Sequence, residues 1–236
     1  MSSARGALPY VMALLASVLI DALIRWQLLQ HLLQRQAALP PWQSGCRFGL
    51  MAFYAVSLLL FLAVLLGRYL PRLQAGRSCP RRLLALLGVL ATAELLANLL
   101  SLNLGIVRLG IDSYALLFEA LLLYLSLNLS FFFWYWYFDY PLRQLVSSAA
   151  AAAAPQLPLG ILFPEEAIED ERFHSANWVP RPIDYLYFTA LSSNCFAAPE
   201  GHLLIGDKLK SLHLLHSFSM ILVLIVILAR AINTLG

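Results

Sequence analysis

Long apolar runs separated by short polar connections dominate the chain. Five of these runs reach membrane-spanning length, at about residues 9–33, 48–70, 83–104, 114–138 and 209–235. A helix needs about 20 apolar residues to cross the hydrocarbon core of a bilayer. We therefore expect an all-α integral membrane protein with about five transmembrane helices.

The composition agrees with this fold class. Of the 236 residues, 61% are hydrophobic and only 12% are charged, which is far from the average of soluble domains. The net charge of +3 is small, so we expect a lipid bilayer rather than nucleic acid as the partner. The sequence contains no nucleophile elbow, phosphate-binding glycine loop or H-E-x-x-H segment. We therefore expect neither an enzyme nor a cofactor.

A few polar side chains interrupt the apolar runs. They are Asp21, Arg25, Glu94, Asn98, Glu119 and Asn128. Asp21 and Arg25 stand one helical turn apart, so the pair can neutralise itself within one helix. A charge at the membrane centre costs on the order of 3 kcal/mol. These side chains are therefore expected to face other helices, and a transport role is the alternative.

The connection before the third run is strongly basic. It carries five arginines, at positions 68, 72, 77, 81 and 82. Short basic loops are normally cytoplasmic, which predicts that the chain begins inside and ends outside. If the first run lay half in the interface, the orientation of everything after it would be inverted.

Residues 131–138 form an unbroken row of aromatic side chains that is followed by Asp139 and Pro141. This pattern is typical of an interfacial aromatic belt, and a site that stacks a ligand is the alternative. Residues 1–141 are therefore predicted to be a four-helix transmembrane region. Residues 142–182, rich in Ala, Pro and acids, are predicted to be an extramembrane linker with a short helix starting at Pro164.

Residues 183–236 have a different layout. A short helix that cannot cross a bilayer leads into a turn of small residues, and a full-length apolar helix follows. This order predicts a re-entrant loop that enters the membrane and returns on the same side.

At these residues the chain resembles the pore-loop cation channel superfamily, in particular its bacterial potassium-channel-like members. The resemblance rests on Asp184, Tyr187, Phe188, the acid Glu200 and the closing helix. The chain is also similar to a family of uncharacterised bacterial membrane proteins with a Leu-Phe-Pro segment and a Trp-x-Pro-x-x-x-Asp-Tyr-Leu-Tyr entry, here 178–187. The resemblance implies a bacterial inner-membrane protein with four copies around a pore.

The filter segment departs from the potassium-channel pattern. In place of Thr-Val-Gly-Tyr-Gly, the chain has Cys195-Phe-Ala-Ala-Pro199. Ala and Pro lack the backbone freedom with which glycines aim carbonyls at an ion, so a filter of another type is expected. The candidates to line it are Ser192, Ser193, Asn194, Cys195, Phe196 and Glu200. Alternatively, these residues cap the short helix and hold a buried turn.

Three histidines lie near the start of the last helix, at His202, His213 and His216. Two histidines one turn apart are a weak metal signal, so no metal is expected. Helix packing or a proton-sensitive contact is the more economical interpretation.

Three functions are compatible with the sequence. The first is an oligomeric, channel-like protein that passes cations. The second is a non-conducting accessory or scaffold subunit that packs against a larger membrane complex. The third is a small ion or proton transporter that uses Glu94, Glu119 and the histidines.

Overall fold

The protein was analysed as a computed structural model, which describes residues 4–34, part of 52–63, 81–108, 113–147, 160–167 and 178–235. These residues are mostly helical, and the predicted all-α class is confirmed. The helices are α1 Ala4–Gln34, α2 Arg81–Arg108, α3 Ser113–Ser147, α4 Pro164–Ala167, α5 Pro182–Cys195 and α6 Asp207–Leu235. Two short strands accompany them, β1 Ile161–Leu162 and β2 Leu203–Leu204.

Four helices of the described chain are long and apolar enough to cross a membrane. They are parts of α1, α2, α3 and α6, over residues 7–27, 81–100, 117–140 and 207–229. This finding supports a multi-pass membrane protein. The remaining expected span, residues 48–70, lies largely outside the described residues. The residues described between 52 and 63 are helical.

The contacts divide the chain into two compact units. The first unit comprises residues 1–130 and 223–236, and the second comprises residues 131–222. Helices α3 and α6 each contribute one half to each unit.

The first unit has an aliphatic core. Its buried side chains on α2, Leu87, Ala91 and Leu95, recur every four residues and so form one stripe. The alanine in the middle of this stripe lets a neighbouring helix approach closely. On α1, Leu14 and Val18 are fully buried in the same way. Helices α1 and α2 are in direct contact.

The second unit has an aromatic core instead. The Tyr135 ring of α3 lies edge-to-face on Phe188 of α5, with 4.8 Å between ring centroids. Phe163 and Tyr185 make the same kind of contact at 5.4 Å. Such pairs are worth about 0.5–1.5 kcal/mol beyond their buried area.

The aromatic row at the end of α3 is therefore not a surface belt along its whole length. Five of its eight rings are buried, namely Phe131, Phe132, Phe133, Tyr135 and Trp136. The prediction of an interfacial belt is wrong for these five. Rings on successive residues point to different sides of a helix, so part of any unbroken aromatic row must face the protein interior.

Helix α3 also continues past Pro141 to Ser147, beyond the predicted end at about residue 138. Asp139 and Arg143 stand one turn apart in this extension and form an ion pair. Proline removes one backbone donor from a helix, and here the polar contacts on both sides of it hold the last turns in helical form.

Residues 160–167, assigned from sequence to the linker, fold within the second unit. β1 pairs antiparallel with β2, with Ile161 opposite Leu204 and a further hydrogen bond of 2.8 Å from the Ile205 N–H to the Gly160 carbonyl. Helix α4 begins at Pro164, as the sequence predicts, and Ile161 and Phe163 are buried. Through the pairing of β1 with β2, this segment therefore holds the connection between α5 and α6 in place.

Local sequence explains both ends of α5. At its start, Pro182 occupies a first-turn position and the Asp184 carboxylate accepts a hydrogen bond from the Arg181 backbone N–H at 2.6 Å. At its end, Phe196 adopts a left-handed conformation with φ of 54°, and its N–H donates to the Ser192 carbonyl at 3.0 Å. The Phe196 carbonyl then accepts a hydrogen bond from Ser217 at 3.4 Å.

That last contact defines the path of the chain. Ser217 lies ten residues after Asp207, the first residue of α6 (217 − 207 = 10). At 1.5 Å per residue this is about 15 Å along the helix. The chain thus runs along α6 through α5 and returns through residues 197–206 to the start of α6.

Candidate functional site

A polar cluster lies at the centre of the first unit. The Asp21 carboxylate accepts hydrogen bonds from Asn98 Nδ2 of α2 and from Ser126 Oγ of α3, both at 3.0 Å. Ser17 lies 2.8 Å from Ser126 through their hydroxyl oxygens. All four side chains are buried. The cluster therefore connects three helices through one carboxylate.

The two hydroxyls of this cluster contact each other and further acceptors. Ser126 Oγ reaches an Asp21 oxygen, and Ser17 Oγ also lies 3.2 Å from the Ser126 carbonyl. Both carboxylate oxygens of Asp21 accept from neutral donors. The hydrogen-bonding capacity of the cluster is thus used within the protein, which fits helix association better than ion transport.

The remaining intramembrane candidates surround this cluster or bond within their own helix. Arg25, one turn after Asp21, interacts electrostatically with both Asp21 and Glu119. The expected pair within α1 is therefore part of a larger group that includes α3. Glu94 is fully buried on α2. Asn128 donates to the Tyr124 carbonyl of its own helix at 2.9 Å.

A second polar group anchors the beginning of α5 in the second unit. The buried carboxylate of Asp139 accepts hydrogen bonds from the Arg143 guanidinium, from the Tyr185 hydroxyl and, at 2.8 Å, from the Ile161 N–H. Arg143 also donates to Glu166 at 2.5 Å. Its guanidinium lies 5.2 Å from the centre of the Phe163 ring.

The anchor explains how the short helix is positioned. Its donors and acceptors come from α3, β1, α4 and α5, so four segments meet at one carboxylate and one guanidinium. Sequence reasoning missed this group, although the i, i+4 spacing of Asp139 and Arg143 was a usable signal.

The three histidines do not meet at one point, because His202 lies apart from His213 and His216. The Nδ1 atoms of His213 and His216 both face the Tyr135 hydroxyl, at 3.0 and 3.1 Å. His202 instead packs on Phe163 and lies 3.2 Å through Nδ1 from the Glu200 carbonyl. Within the described part of the chain, no three His, Cys, Asp or Glu side chains are grouped as a metal ion would require.

Ser193 and His216 form a hydroxyl–imidazole pair of the kind that a serine nucleophile and its base would need. The Ser193 hydroxyl lies 2.9 Å from His216 Nε2, but it also donates to the Thr189 carbonyl at 3.0 Å. Ser193 is fully buried on a helix. A nucleophile would need its proton directed to the histidine and an approach for substrate, so this geometry favours a structural hydrogen bond.

The loop candidates separate into two groups. Ser192 and Ser193 are buried, whereas Asn194, Cys195, Phe196 and Glu200 are exposed. Glu200 sits in a turn closed by a hydrogen bond of 3.0 Å from the His202 N–H to the Pro199 carbonyl. Gly201 supplies the positive φ of 78° that this turn uses.

Gly201 also explains why the turn lies so close to the linker segment. A Cβ at this position would stand 3.1 Å from Cγ of Pro164. Only glycine allows both the backbone conformation and this approach. The turn that presents Glu200 is therefore held against α4.

Comparison with known proteins adds no identity. The chain matches no family model, no curated protein and no solved structure.

Proposed function

We propose that residues 182–206 form a re-entrant pore loop, and that several copies of the chain, four by the resemblance, enclose a cation pathway lined by residues 194–200. The observation that carries this proposal is the contact between the end of α5 and Ser217. The contact lies about 15 Å along α6, and if α6 begins at the membrane surface, this distance would bring the end of the short helix to the middle of a hydrocarbon core of about 30 Å.

The electrostatics of α5 support cations as the passing species. A helix carries about half a negative charge at its carboxyl end, and this end of α5 would lie near the middle of the bilayer. There the low dielectric strengthens its attraction for a cation. The exposed carboxylate of Glu200 adds negative charge where the loop returns.

The exposure of the loop side chains fits the same arrangement. Asn194, Cys195 and Phe196 are exposed where α5 ends, although the preceding Ser192 and Ser193 are buried. In one isolated copy within a bilayer, these exposed groups would face lipid. Copies of the chain arranged around an axis would give them an aqueous pathway to face.

Two apolar surfaces remain for partners. On α5, Ile183, Leu186 and Tyr187 are exposed beside the loop, and we assign this surface to contact with the next copy. On α6, Leu214, Phe218 and Ile225 are exposed at helical spacing and are assigned to lipid.

A non-conducting accessory subunit is the second candidate, favoured by the backbone of the filter segment. A potassium-type filter needs several residues in glycine-like conformations. Among the described residues of 194–200, Phe196 alone has a positive φ. A loop of this form could be sealed by its side chains while the apolar surfaces bind a larger membrane complex.

Accessibility of Cys195 to a charged thiol reagent separates the two candidates. The test uses the full chain in liposomes with Cys46→Ala and Cys79→Ala, so that Cys195 alone can react. The matched control also carries Cys195→Ala and Phe218→Cys, which places a thiol beside Ser217 on the outer side of α6, where Phe218 is 64% exposed.

An aqueous pathway requires fast modification of Cys195 and slow modification of the control. Bringing a charge into hydrocarbon costs about 2.5 kcal/mol or more, so the control should react on the order of 50-fold more slowly. A monomer by native mass spectrometry, or a Cys195 that reacts no faster than the control, would overturn the channel proposal. Slow labelling in a stable complex with another membrane protein would favour the accessory subunit.

A further inference from the structure

Four side chains in the second unit form a continuous hydrogen-bonded chain. His213 Nδ1 lies 3.0 Å from the Tyr135 hydroxyl, and that hydroxyl lies 3.1 Å from His216 Nδ1. His216 Nε2 is in turn 2.9 Å from Ser193 Oγ. This series of hydrogen bonds leads from His213 on α6 to Tyr135 on α3, back to His216 on α6, and ends at Ser193 on α5. Tyr135 and His216 are fully buried.

The direction of each hydrogen bond follows from the end at Ser193. We assign the one proton of Ser193 to the Thr189 carbonyl, which can only accept, and with this assignment His216 donates from Nε2 to Ser193. Neutral His216 then accepts at Nδ1, and Tyr135 is the donor. Tyr135 has no second proton, so His213 donates from Nδ1 to the Tyr135 oxygen.

This assignment leaves His213 Nε2 with a lone pair and no donor from which it could accept a hydrogen bond. His213 Nε2 is buried and has no hydrogen-bond partner among the described residues. An unpaired polar atom in such a place is costly. It is also the basic end of a hydrogen-bonded chain in which the two bonds at the Tyr135 oxygen can reverse together.

We propose that His213, Tyr135 and His216 form a single proton-binding site, in which a proton taken up at His213 Nε2 produces a positive charge on His216. The step balances without any other reactant than a proton from water. As the proton binds Nε2 of His213, its Nδ1 proton moves to the Tyr135 oxygen, and the Tyr135 proton moves to Nδ1 of His216.

All three hydrogen bonds remain after this step. The two at the Tyr135 oxygen reverse direction, and the one from His216 Nε2 to Ser193 keeps its direction. Tyr135 then donates to His213, and His216 donates from Nδ1 to Tyr135 and from Nε2 to Ser193. The cationic imidazole thus has an acceptor for both of its N–H groups, as a buried charge requires. His213 ends neutral, with its Nε2 protonated.

The surroundings of the chain offer little competition for the proton. His213 faces Tyr135 of α3 and Phe188 of α5, and His216 faces Phe131 of α3 and Ser193 of α5. Asp139, one turn beyond Tyr135, receives hydrogen bonds from Arg143, Tyr185 and Ile161. On the other sides are His202, packed on Phe188, and the exposed Lys210, one turn before His213.

A charge on His216 would act on the end of α5. His216 hydrogen bonds to Ser193 in the last turn of that helix, where the helix dipole favours a positive charge. If the loop passes cations, the bound proton would compete with them for the same negative helix end. The site itself does not depend on conduction, and its test measures protonation directly.

The test is nuclear magnetic resonance of the full chain in lipid nanodiscs with ¹⁵N-labelled histidine, titrated from about pH 9 to about pH 5. The protein has five histidines, and His213→Gln and His216→Gln assign the two relevant signals. At high pH we expect His213 protonated at Nδ1 and His216 at Nε2. On acidification the two should change together, with uptake of one proton and a cationic His216.

Two variants distinguish a shared proton from ordinary packing. With Tyr135→Phe the signals of His213 and His216 should no longer change together, and with His213→Gln His216 should stay neutral over the same range. His202→Gln is the matched control and should leave the joint titration unchanged. Independent titration of the two histidines in the unaltered protein, or neutral forms of both down to about pH 5, would overturn the proposal.

Discussion

At the scale of single residues, Asp139 determines how the second unit holds together. Three donors from three segments, Arg143, Tyr185 and the Ile161 backbone, meet at its carboxylate, which is 1% exposed. A buried carboxylate needs such partners, because removal from water costs several kcal/mol. One residue at the end of the aromatic row therefore links the linker segment, the short helix and α3.

The pKa of Arg143 shows which forces act on this group. Burial lowers the pKa, but the hydrogen bond to Glu166 and the charge of Asp139 raise it by more, so it lies above its ordinary value. A raised pKa means that the stabilisation by Arg143 is lost only as the pH rises through the folded-state value. Its contribution is therefore fully present at neutral pH and is lost only in strongly alkaline solution.

Replacing Arg143 tests the anchor. Arg143→Gln leaves Asp139 buried without its charged partner, and we expect a loss of about 3–5 kcal/mol in the free energy of unfolding. The matched control is Arg181→Gln, since Arg181 also pairs with an aspartate, Asp184 at 3.8 Å, but its side chain is 74% exposed against 18% for Arg143. The control should cost less than about 1 kcal/mol. Unfolding in mixed micelles by circular dichroism measures both, and equal losses would contradict the anchor.

At the scale of secondary-structure elements, the polar cluster around Asp21 joins α1, α2 and α3. Lipid is as apolar as the helix surfaces, so helices in a membrane associate through close packing and interhelical hydrogen bonds. Asn98 and Ser126 supply such bonds to Asp21 from two different helices. A buried acid that looks like a transport residue in the sequence is used here in helix association.

Serine-to-alanine changes compare a bond between helices with a bond inside one. Ser126→Ala removes the donor to Asp21 and the acceptor for Ser17, and we expect a loss of about 1–2 kcal/mol. Ser219→Ala is the matched control, because this buried serine only donates to the Leu215 carbonyl of its own helix at 2.8 Å. It should change the free energy of unfolding by less than about 0.5 kcal/mol. Similar effects in steric-trapping or micelle unfolding experiments would argue against an interhelical role.

At the scale of the whole molecule, the number of spans decides the orientation. Four helices in the described residues are long and apolar enough to span a membrane, and a further span over 48–70 is predicted from its apolar run. With five, the basic loop before α2 lies inside and the end of α6 lies outside. The loop after α5 would then enter from the cytoplasmic side, opposite to potassium channels.

Cys46 and Cys79 flank the predicted span over residues 48–70, so their accessibility shows whether this segment crosses the membrane. In single-cysteine variants, an impermeant thiol reagent added to intact cells should modify Cys46, which lies outside in this topology. Cys79 should react only after the membrane is permeabilised, because the basic loop that contains it is predicted to be cytoplasmic. Modification of both cysteines from one side would show that residues 48–70 do not cross.

Much of the helical architecture is predictable from sequence, because apolar length is a local property. Runs of about 20 apolar residues identify membrane spans without knowledge of their neighbours. Proline followed by acids marks the start of α4 at Pro164 as clearly as in any soluble protein. The limits of α5 follow in the same way from Pro182, Asp184 and the turn of small residues.

The candidate site was only partly predictable. The loop side chains were identified by their order in the chain, but sequence order does not say that Ser192 and Ser193 are buried whereas Asn194 and Cys195 are exposed. Nor does it show that His213 and His216 share Tyr135, a residue 78 and 81 positions away. Such contacts depend on which helix faces lie opposite each other.

By itself the sequence determined the all-α class, the apolar helices, the start of α4 and the presence of a short helix before the last apolar one. Only the tertiary structure decided which polar groups meet: Asp21 with Asn98 and Ser126, Asp139 with Arg143, and Tyr135 with the two histidines. The reason is physical. Whether a segment is helical and apolar depends on neighbouring residues, whereas the partner of a buried polar group depends on the packing of distant ones.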